Sequence, residues 1–422
     1  MSTPGGGSRA GRFFRSLGPG LITGAADDDP SGISTYSVAG AAFGFQTLWT
    51  ALVTFPLMVA VQLMCARLGL ITGQGLAAAV RKQYPRWVLW GACALLLAAN
   101  LFNISADLGG MGAAMRLVTG VDRKVWTPVF AALIIGLLGW SSYAAVARVL
   151  KFLALVLFAY VIAGLLVRPD WWTVLRSSLI PHIEWKRPYL AVLVAILGTN
   201  ISPYLFFWQA AEEVEEDRAH GKKTVAQRKG AKPSELRNTR NDVVVGMLVS
   251  NLVMYFIVVS TAATLHARGI TDIQTAEQAA SALRPLAGHA AYLLFTLGIV
   301  GTGMLAVPVL AGSCAYALAD AGCWRGASLA RKPRQSPRYY AAMMGAIAAG
   351  VALDYIGLNP IKALFWSAIL NGLLAPPLVV LIVQLTSDPR VMGNRVSPRL
   401  LRFTGWAAAV IMAAAGIAML VL

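Results

Sequence analysis

Charge is scarce in this chain. Only 13% of its 422 residues are Asp, Glu, Lys or Arg, against 57% that are hydrophobic, and a water-soluble protein of this length needs more polar surface than that. A soluble enzyme or binding domain is thereby excluded, and the chain reads as an all-α polytopic membrane protein. Acids are scarcer than bases, 19 against 36, for a net charge of +17. Cysteine and histidine number four each. Cys65, Cys93, Cys314 and Cys323 fall within or at the edges of apolar stretches, with neither metal-ligand spacing nor an extracellular pairing pattern, so they read as buried small hydrophobes. His182, His220, His266 and His289 lie at span edges or in loops without partners, and none is assigned to a metal. Nor does any motif supply a nucleophile with a base, which argues against a membrane enzyme. The first sixteen residues, rich in Gly, Ser and Arg, lack the apolar core of a signal peptide and read as an uncleaved, flexible cytoplasmic tail.

What the chain has is long apolar runs. Counting stretches of about 20 residues gives eleven spans, near 17–45, 47–71, 87–115, 126–147, 149–168, 189–213, 242–266, 288–322, 338–357, 361–386 and 402–422. The third and eighth are long enough to tilt or to project beyond the bilayer. Ten or twelve spans are the alternatives, depending on whether Arg148 and Lys151 separate two helices within 126–168. Basic residues are retained in cytoplasmic loops, and placing the N-terminus inside puts 26 of the 36 Lys and Arg on the cytoplasmic side. The positive charge therefore reports topology rather than a nucleic-acid partner, which would need a basic soluble domain that is absent from this sequence. A polar segment, 214–241, with Lys222-Lys223 and Arg228-Lys229 within it, is expected to form a mobile cytoplasmic loop that touches anionic lipid in one reading.

Two of the spans are interrupted. Leu17 to Phe45 carries Asp27-Asp28-Asp29-Pro30-Ser31-Gly32 at its middle, and Leu190 to Ala211 carries Gly198-Thr199-Asn200-Ile201-Ser202-Pro203. A carboxylate at mid-bilayer costs roughly 2.5–3.5 kcal/mol on insertion scales, so an intramembrane acid is a functional candidate. Proline removes a backbone donor and clashes with the preceding turn. Where a helix breaks inside protein, its carbonyls become free to act as ligands. Carboxylate, carbonyl and hydroxyl oxygens together make a hard cation site suited to Mg²⁺, Ca²⁺ or Mn²⁺, and neither break contains Met, His or Cys. Each break also has a bland reading: an Asp-capped turn in the first, a Ser-Pro kink in the second. Their pairing decides, since two breaks about five spans apart are what an inverted repeat of five helices requires.

These residues carry a family resemblance that covers nearly the whole chain. Gly18-Pro19-Gly20-Leu21 followed by Asp29-Pro30-Ser31-Gly32 resembles the first helix of the Nramp divalent-metal transporters, whose signature there is Asp-Pro-Gly-Asn. Gly198-Thr199-Asn200-Ile201-Ser202-Pro203-Tyr204 is similar to their sixth helix, whose signature is Met-Pro-His. The resemblance implies a LeuT-type fold: two inverted five-helix repeats over 17–168 and 189–386, with an eleventh transmembrane helix at 402–422. It also implies that the metal is substrate rather than cofactor.

Departures from the family pattern point to one branch of it. Asp29 keeps the metal-binding carboxylate, but Gly32 stands where the asparagine ligand would be and Ser202 where the methionine would be. Tyr204 and Gln209 replace the two histidines, and Asp107-Leu108-Gly109-Gly110 in the third span resembles Asp-Leu-Ala-Glu without its glutamate. The variant resembles the Nramp-related branch that includes magnesium transporters, in which proton coupling is absent. Physics points the same way, because Gly32 and Ser202 leave room for water that Mg²⁺ gives up reluctantly.

The expected site is therefore Asp29 as the principal metal ligand, with Ser31, Gly32, Thr199 and Ser202 around it; Asp28, and less so Asp27, adds attraction for the hydrated ion from behind those ligands or from the outer vestibule, with capping of a half-helix as the alternative. Asp107, with Asn103 one turn earlier, and Asn200, Tyr204, Gln209 and Asn371 are pathway candidates, each with a packing or hydrogen-bonding role as its alternative. Glu212, Glu213, Glu215 and Glu216 follow the sixth span, either as an attractive exit for cations or as exposed helix-end charge. The expected function is uptake of Mg²⁺ or Mn²⁺ through a bacterial inner membrane, with the bilayer as the other partner and no nucleic acid or obligatory protein partner. Proton-coupled Mn²⁺/Fe²⁺ uptake is the alternative. An amino-acid carrier on the same fold is disfavoured, since three aspartates would repel a substrate carboxylate.

Overall fold

The computed structural model describes residues 19–140, 155–324 and 326–422, and no strand occurs among them. The expected tail, Arg148 and Lys151 lie outside the described residues. Both interrupted spans are pairs of helices. The first is α1 (Pro19–Asp27) and α2 (Pro30–Phe43), followed by α3 (Trp49–Thr72) and a short α4 (Leu76–Gln83). Next come α5 (Arg86–Thr119), α6 (Arg123–Trp140), α7 (Phe158–Leu166) and α8 (Trp171–Leu179). The second interrupted span is α9 (Arg187–Asn200) and α10 (Pro203–Ala219). The remaining long elements are α11 (Pro233–Thr264), α12 (Ala291–Ala321), α13 (Pro337–Asp354), α14 (Pro360–Ser387) and α15 (Arg399–Val421). Pro30 and Pro203 each sit in the first turn of the second half-helix, where a missing N–H costs nothing but forbids extension backwards.

Among the described residues seven helical stretches are long and apolar enough to cross a bilayer, and the chain is a multi-pass membrane protein. α1 and α2 are too short, at 9 and 14 residues, because the Asp-Pro sequence divides them. Exposed tryptophans such as Trp87, Trp172 and Trp185 lie near helix ends, where amphipathic rings sit at a membrane interface.

The broken spans are held at close quarters. α1 lies on α11, and a Cβ added at Gly24 would fall 2.4 Å from the Gly246 backbone. α9 lies against α14, where a Cβ at Gly198 would meet the Ala368 carbonyl oxygen at 2.1 Å and the Gly372 nitrogen at 2.3 Å. Backbone cannot swing aside as a side chain can. Gly198→Leu should therefore separate the two helices just before the second break, at a cost of about 3 kcal/mol or more. The check is a melting curve of purified protein, and an unchanged midpoint would refute this packing account.

Three local expectations are corrected. Residues 214–241 are not one untethered loop: α10 continues to Ala219, a short helix covers Val225–Arg228, and α11 begins at Pro233. Arg228 is buried there, its Nη1 donating to the Lys222 and Lys223 carbonyls at 3.1 and 2.9 Å and its Nε to the Gly73 carbonyl at 3.2 Å. The Asp217 carboxylate, 2.6 Å from Lys222 Nζ, raises that ammonium above its ordinary pKa. Cys65, Cys93 and Cys314 are buried as expected, but Cys323 is exposed just past the end of α12, beside the Arg81 guanidinium. His182, His220 and His266 do have neighbours, respectively the Glu184 carboxylate and the Glu216 and Ala41 carbonyls, which gives them local structural roles.

Candidate functional site

At the first break the chain leaves α1 at Asp27 and re-enters helix at Pro30, so Asp29 becomes the N-cap of α2. Its Oδ1 accepts from the Ser31 hydroxyl and the Gly32 amide, both at 2.7 Å. Its Oδ2 accepts from Asn103 Nδ2 of α5, at 2.8 Å, and the Ser31 amide also points at the carboxylate. Each carboxylate oxygen has two lone pairs; Oδ1 takes both the Ser31 hydroxyl and the Gly32 amide, which leaves Oδ2 the more open of the two. The capping reading and the ligand reading thus fall on one residue, with the two oxygens dividing the work. Ser31 and Gly32 serve the cap, so their first role is to orient Asp29.

Asp107, one turn beyond Asn103 on α5, is buried, and neither of its carboxylate oxygens has a close hydrogen-bond partner among the described residues. It lies in the electrostatic reach of Asp29 and of the Ser31 amide. Asp27 and Asp28 turn instead towards α11, where the Ser250 hydroxyl lies 2.6 Å from Asp27 Oδ2 and 3.2 Å from Asp28 Oδ1. Four buried carboxyls are gathered here, and among the described residues none makes a salt bridge to Lys, Arg or His. Unpaired buried charges cost several kcal/mol each, so the cluster calls for a cation or for protons.

The second break presents its polar groups differently. The Ser202 hydroxyl lies 2.7 and 2.6 Å from the Gly198 and Thr199 carbonyl oxygens, the acceptors that the broken helix has released. Thr199 Oγ1 donates to the Ile196 carbonyl at 3.0 Å. Asn200 Oδ1 accepts from Tyr36 Oη at 2.6 Å, and its Nδ2 donates to Thr54 Oγ1 at 2.9 Å, which joins both breaks to α3. Tyr204 Oη donates to the Ala26 carbonyl at 2.8 Å, tying α10 to the end of α1 within electrostatic reach of Asp27, Asp29 and Asp107. Asn371 of α14 is buried with neither amide atom bonded. No three His, Cys, Asp or Glu side chains among the described residues form a ready metal cage. A cation held here needs backbone carbonyls or water to complete its shell.

Further along α10, Gln209 accepts from Thr23 Oγ1 at 2.6 Å and donates to Glu213 Oε1 at 2.9 Å. Of the four glutamates read either as an attractive exit for cations or as exposed helix-end charge, Glu213 and Glu215 are buried, Glu212 is half-buried and Glu216 is exposed. Glu215 is paired with Arg218 at 2.6 Å and receives the Ser328 hydroxyl at 2.6 Å. The exposed reading fails for Glu213 and Glu215 because distant segments fold over them. Sequence reasoning also missed Ser250 and Thr23; a lone hydroxyl in an apolar helix was the only available signal. At Gly110 an added Cβ would lie 2.9 Å from Leu364 Cδ1, so α14 occupies the space where the family's glutamate would project.

Residues 20–422 match the family model described as natural resistance-associated macrophage protein-like (Nramp). The chain belongs to the Nramp family. A relative from Klebsiella pneumoniae strain 342, named divalent metal cation transporter MntH, is 27% identical over 94% of this chain and 92% of its own length. Among solved structures, an Eremococcus coleocola manganese transporter in complex with an aromatic bis-isothiourea compound aligns with a TM-score of 0.74 at 19% identity, covering 99% of this chain and 88% of the other. The inward-facing conformation of Mhp1 aligns with a TM-score of 0.51 at 13% identity, over 96% of this chain and 90% of the other. The fold is thus the LeuT-type bundle that the resemblance implied, and this Nramp chain is a transporter rather than an enzyme, with metal as cargo and not as cofactor.

Proposed function

We propose that this Nramp protein takes up divalent metal cations, Mg²⁺ and Mn²⁺ foremost, by alternating access through a site between the centres of its two broken spans. The observation that carries the reading is the gathering of Asp27, Asp28, Asp29 and Asp107 in a buried region where they have no basic partner among the described residues. A dication supplies the missing charge. Asp29 is the principal ligand through Oδ2, and Asp107 faces the same ion. The carbonyls of Gly198 and Thr199 are the oxygen donors on the opposite side once Ser202 turns away from them. The known function of relatives named as divalent metal cation and manganese transporters supports the class of cargo. Preference for a hard, partly hydrated ion is supported by Gly32 and Ser202, which offer neither a bulky amide nor a sulfur ligand.

The two halves, 17–168 and 189–386, are read as inverted five-helix repeats with 402–422 appended. The basic ends of the helices face the cytoplasm of a bacterial cell, with the N-terminus inside. At about 100 mV two positive charges gain about 4.6 kcal/mol on entry, which suffices for accumulation without a co-transported proton.

Coupling to protons should be absent. A phenol such as that of Tyr204 ionises in water only near pH ~10, while Gln209 and Gly110 do not titrate, so the positions that move protons in the family hold no group that exchanges one between about pH 5 and 8. The test is Mn²⁺ entry into liposomes that contain a pH dye, with valinomycin clamping the voltage. Metal influx without acidification is expected. Acidification in proportion to influx would support the proton-coupled reading instead, which the two unbonded oxygens of Asp107 favour. Asp107→Asn separates the two: under the proposed reading it weakens metal affinity about tenfold or more, by loss of one buried charge partner, and it leaves the dye trace flat.

A further inference from the structure

A groove of about 720 Å³ runs between α3, α11 and α15, and no residue of the broken spans lines it. Phe55 and Leu63 of α3 and Leu401 of α15 contribute apolar walls. Leu400, which also lines it, is 75% exposed and neighbouring Phe403 is 72% exposed, an apolar surface suited to the hydrocarbon of a bilayer. One end of the groove is lined by Arg67, Arg237 and Arg240, and no acidic side chain lines it anywhere. Arg67 is partly satisfied: its Nη2 donates to the Arg395 and Val396 carbonyls at 2.8 and 3.3 Å, while its buried Nε has no partner. Arg237 and Arg240 are exposed and in no salt bridge among the described residues.

We propose that this groove is a binding site for an anionic phospholipid, with an acyl chain along Phe55 and Leu63 and the phosphate among Arg67, Arg237 and Arg240. The charge pattern selects the occupant. A zwitterionic lipid brings its own cation into a cluster that holds three already, whereas an anionic headgroup neutralises the three guanidinium groups that line the groove without an acidic partner. Basic pockets between transmembrane helices recognise such headgroups by this chemistry, and the forked guanidinium suits phosphate geometry. The site joins α15 to α3 and α11 through a lipid.

The test uses delipidated full-length protein in neutral detergent, with bound lipid counted by native mass spectrometry. Phosphatidylglycerol and phosphatidylcholine of identical chains are titrated in parallel, and inorganic phosphate is added as a competitor. One phosphatidylglycerol should bind at concentrations where phosphatidylcholine does not, and millimolar phosphate should not displace it. Arg237→Gln with Arg240→Gln should weaken binding about tenfold or more, two juxtamembrane charges being lost. Arg237→Lys with Arg240→Lys should retain most of the affinity, which guards against a folding artefact. Leu63→Trp, which fills the apolar wall and changes no charge, should also weaken it. Equal binding of the two lipids, no loss in the double glutamine variant, or displacement by phosphate alone would each overturn the proposal, the last by identifying a surface anion site.

Discussion

Asp29→Asn should reduce metal uptake into liposomes by at least about 100-fold while leaving the protein folded. The magnitude follows from breaking a buried charge pair, about 3–5 kcal/mol, at a factor of ten per roughly 1.4 kcal/mol. Asparagine is the informative replacement, because it caps a helix about as well as aspartate. The side-chain oxygen that accepts from Ser31 and Gly32, both at 2.7 Å, can be reproduced by the amide, so α2 keeps its first turn. What is lost is the charge beside Asp107. Removing one of four crowded carboxyls should also relieve repulsion, and the melting temperature without metal should hold or rise. Wild-type protein should melt higher when Mn²⁺ or Mg²⁺ is added, since a ligand that binds only the folded state stabilises it by mass action. The variant should not. Asp29→Ala would lose the cap as well, at about 1 kcal/mol, and the difference between the two variants isolates the charge. Near-normal uptake by Asp29→Asn would remove the ion from this position.

The breaks were legible because their signals are local. A proline behind a run of aspartates inside an apolar stretch argues against a continuous helix, and each second half-helix begins at its proline, Pro30 and Pro203. Pro56, Pro128, Pro308 and Pro376 nevertheless stay inside continuous helices, so it was the pairing of the two motifs that carried the reading. Asp29 was legible for the same reason. What completes the site was not, because it depends on pairs far apart in the chain: Asn103 with Asp29, Ser250 with Asp27, Tyr204 with the Ala26 carbonyl. The glutamates after the second break show the limit from the other side. By pattern they are the charged end of a helix, and the nearby Gln209 and Arg218 are visible in that pattern, yet Ser328 also reaches one glutamate and Gly69 of α3 lies against another. Burial of a charge is a property of what folds over it, and no window along the chain contains that information. Gly110 is similar: the missing glutamate was visible, but its space being taken by Leu364 was not.

Restoring the family's ligands should redirect selectivity. In Gly32→Asn with Ser202→Met, the Mn²⁺-to-Mg²⁺ and Cd²⁺-to-Mg²⁺ uptake ratios should rise on the order of tenfold, the equivalent of one interaction of about 1.4 kcal/mol. Two physical changes act together. An added Cβ at Gly32 meets the Asp27 carbonyl and Tyr36 Cε2 at 3.4 Å and Asp29 Oδ1 at 3.5 Å, all ordinary contacts, so an asparagine fits at the first turn of α2 and brings an amide oxygen to the ion. At Ser202 the hydroxyl now takes the Gly198 and Thr199 carbonyls at 2.7 and 2.6 Å; methionine cannot, so those oxygens are released while a thioether enters. Sulfur favours the softer ions, and the two larger side chains displace water that Mg²⁺ retains more stubbornly than Mn²⁺ does. Each single variant should give part of the effect, Ser202→Met more for Cd²⁺ and Gly32→Asn more for Mn²⁺. Competition assays with all three ions in the same liposomes measure the ratios, and a melting curve of the double variant establishes first that it is folded. If a folded double variant keeps the parent's order of preference, ligand softness and retained water are not what sets selectivity here.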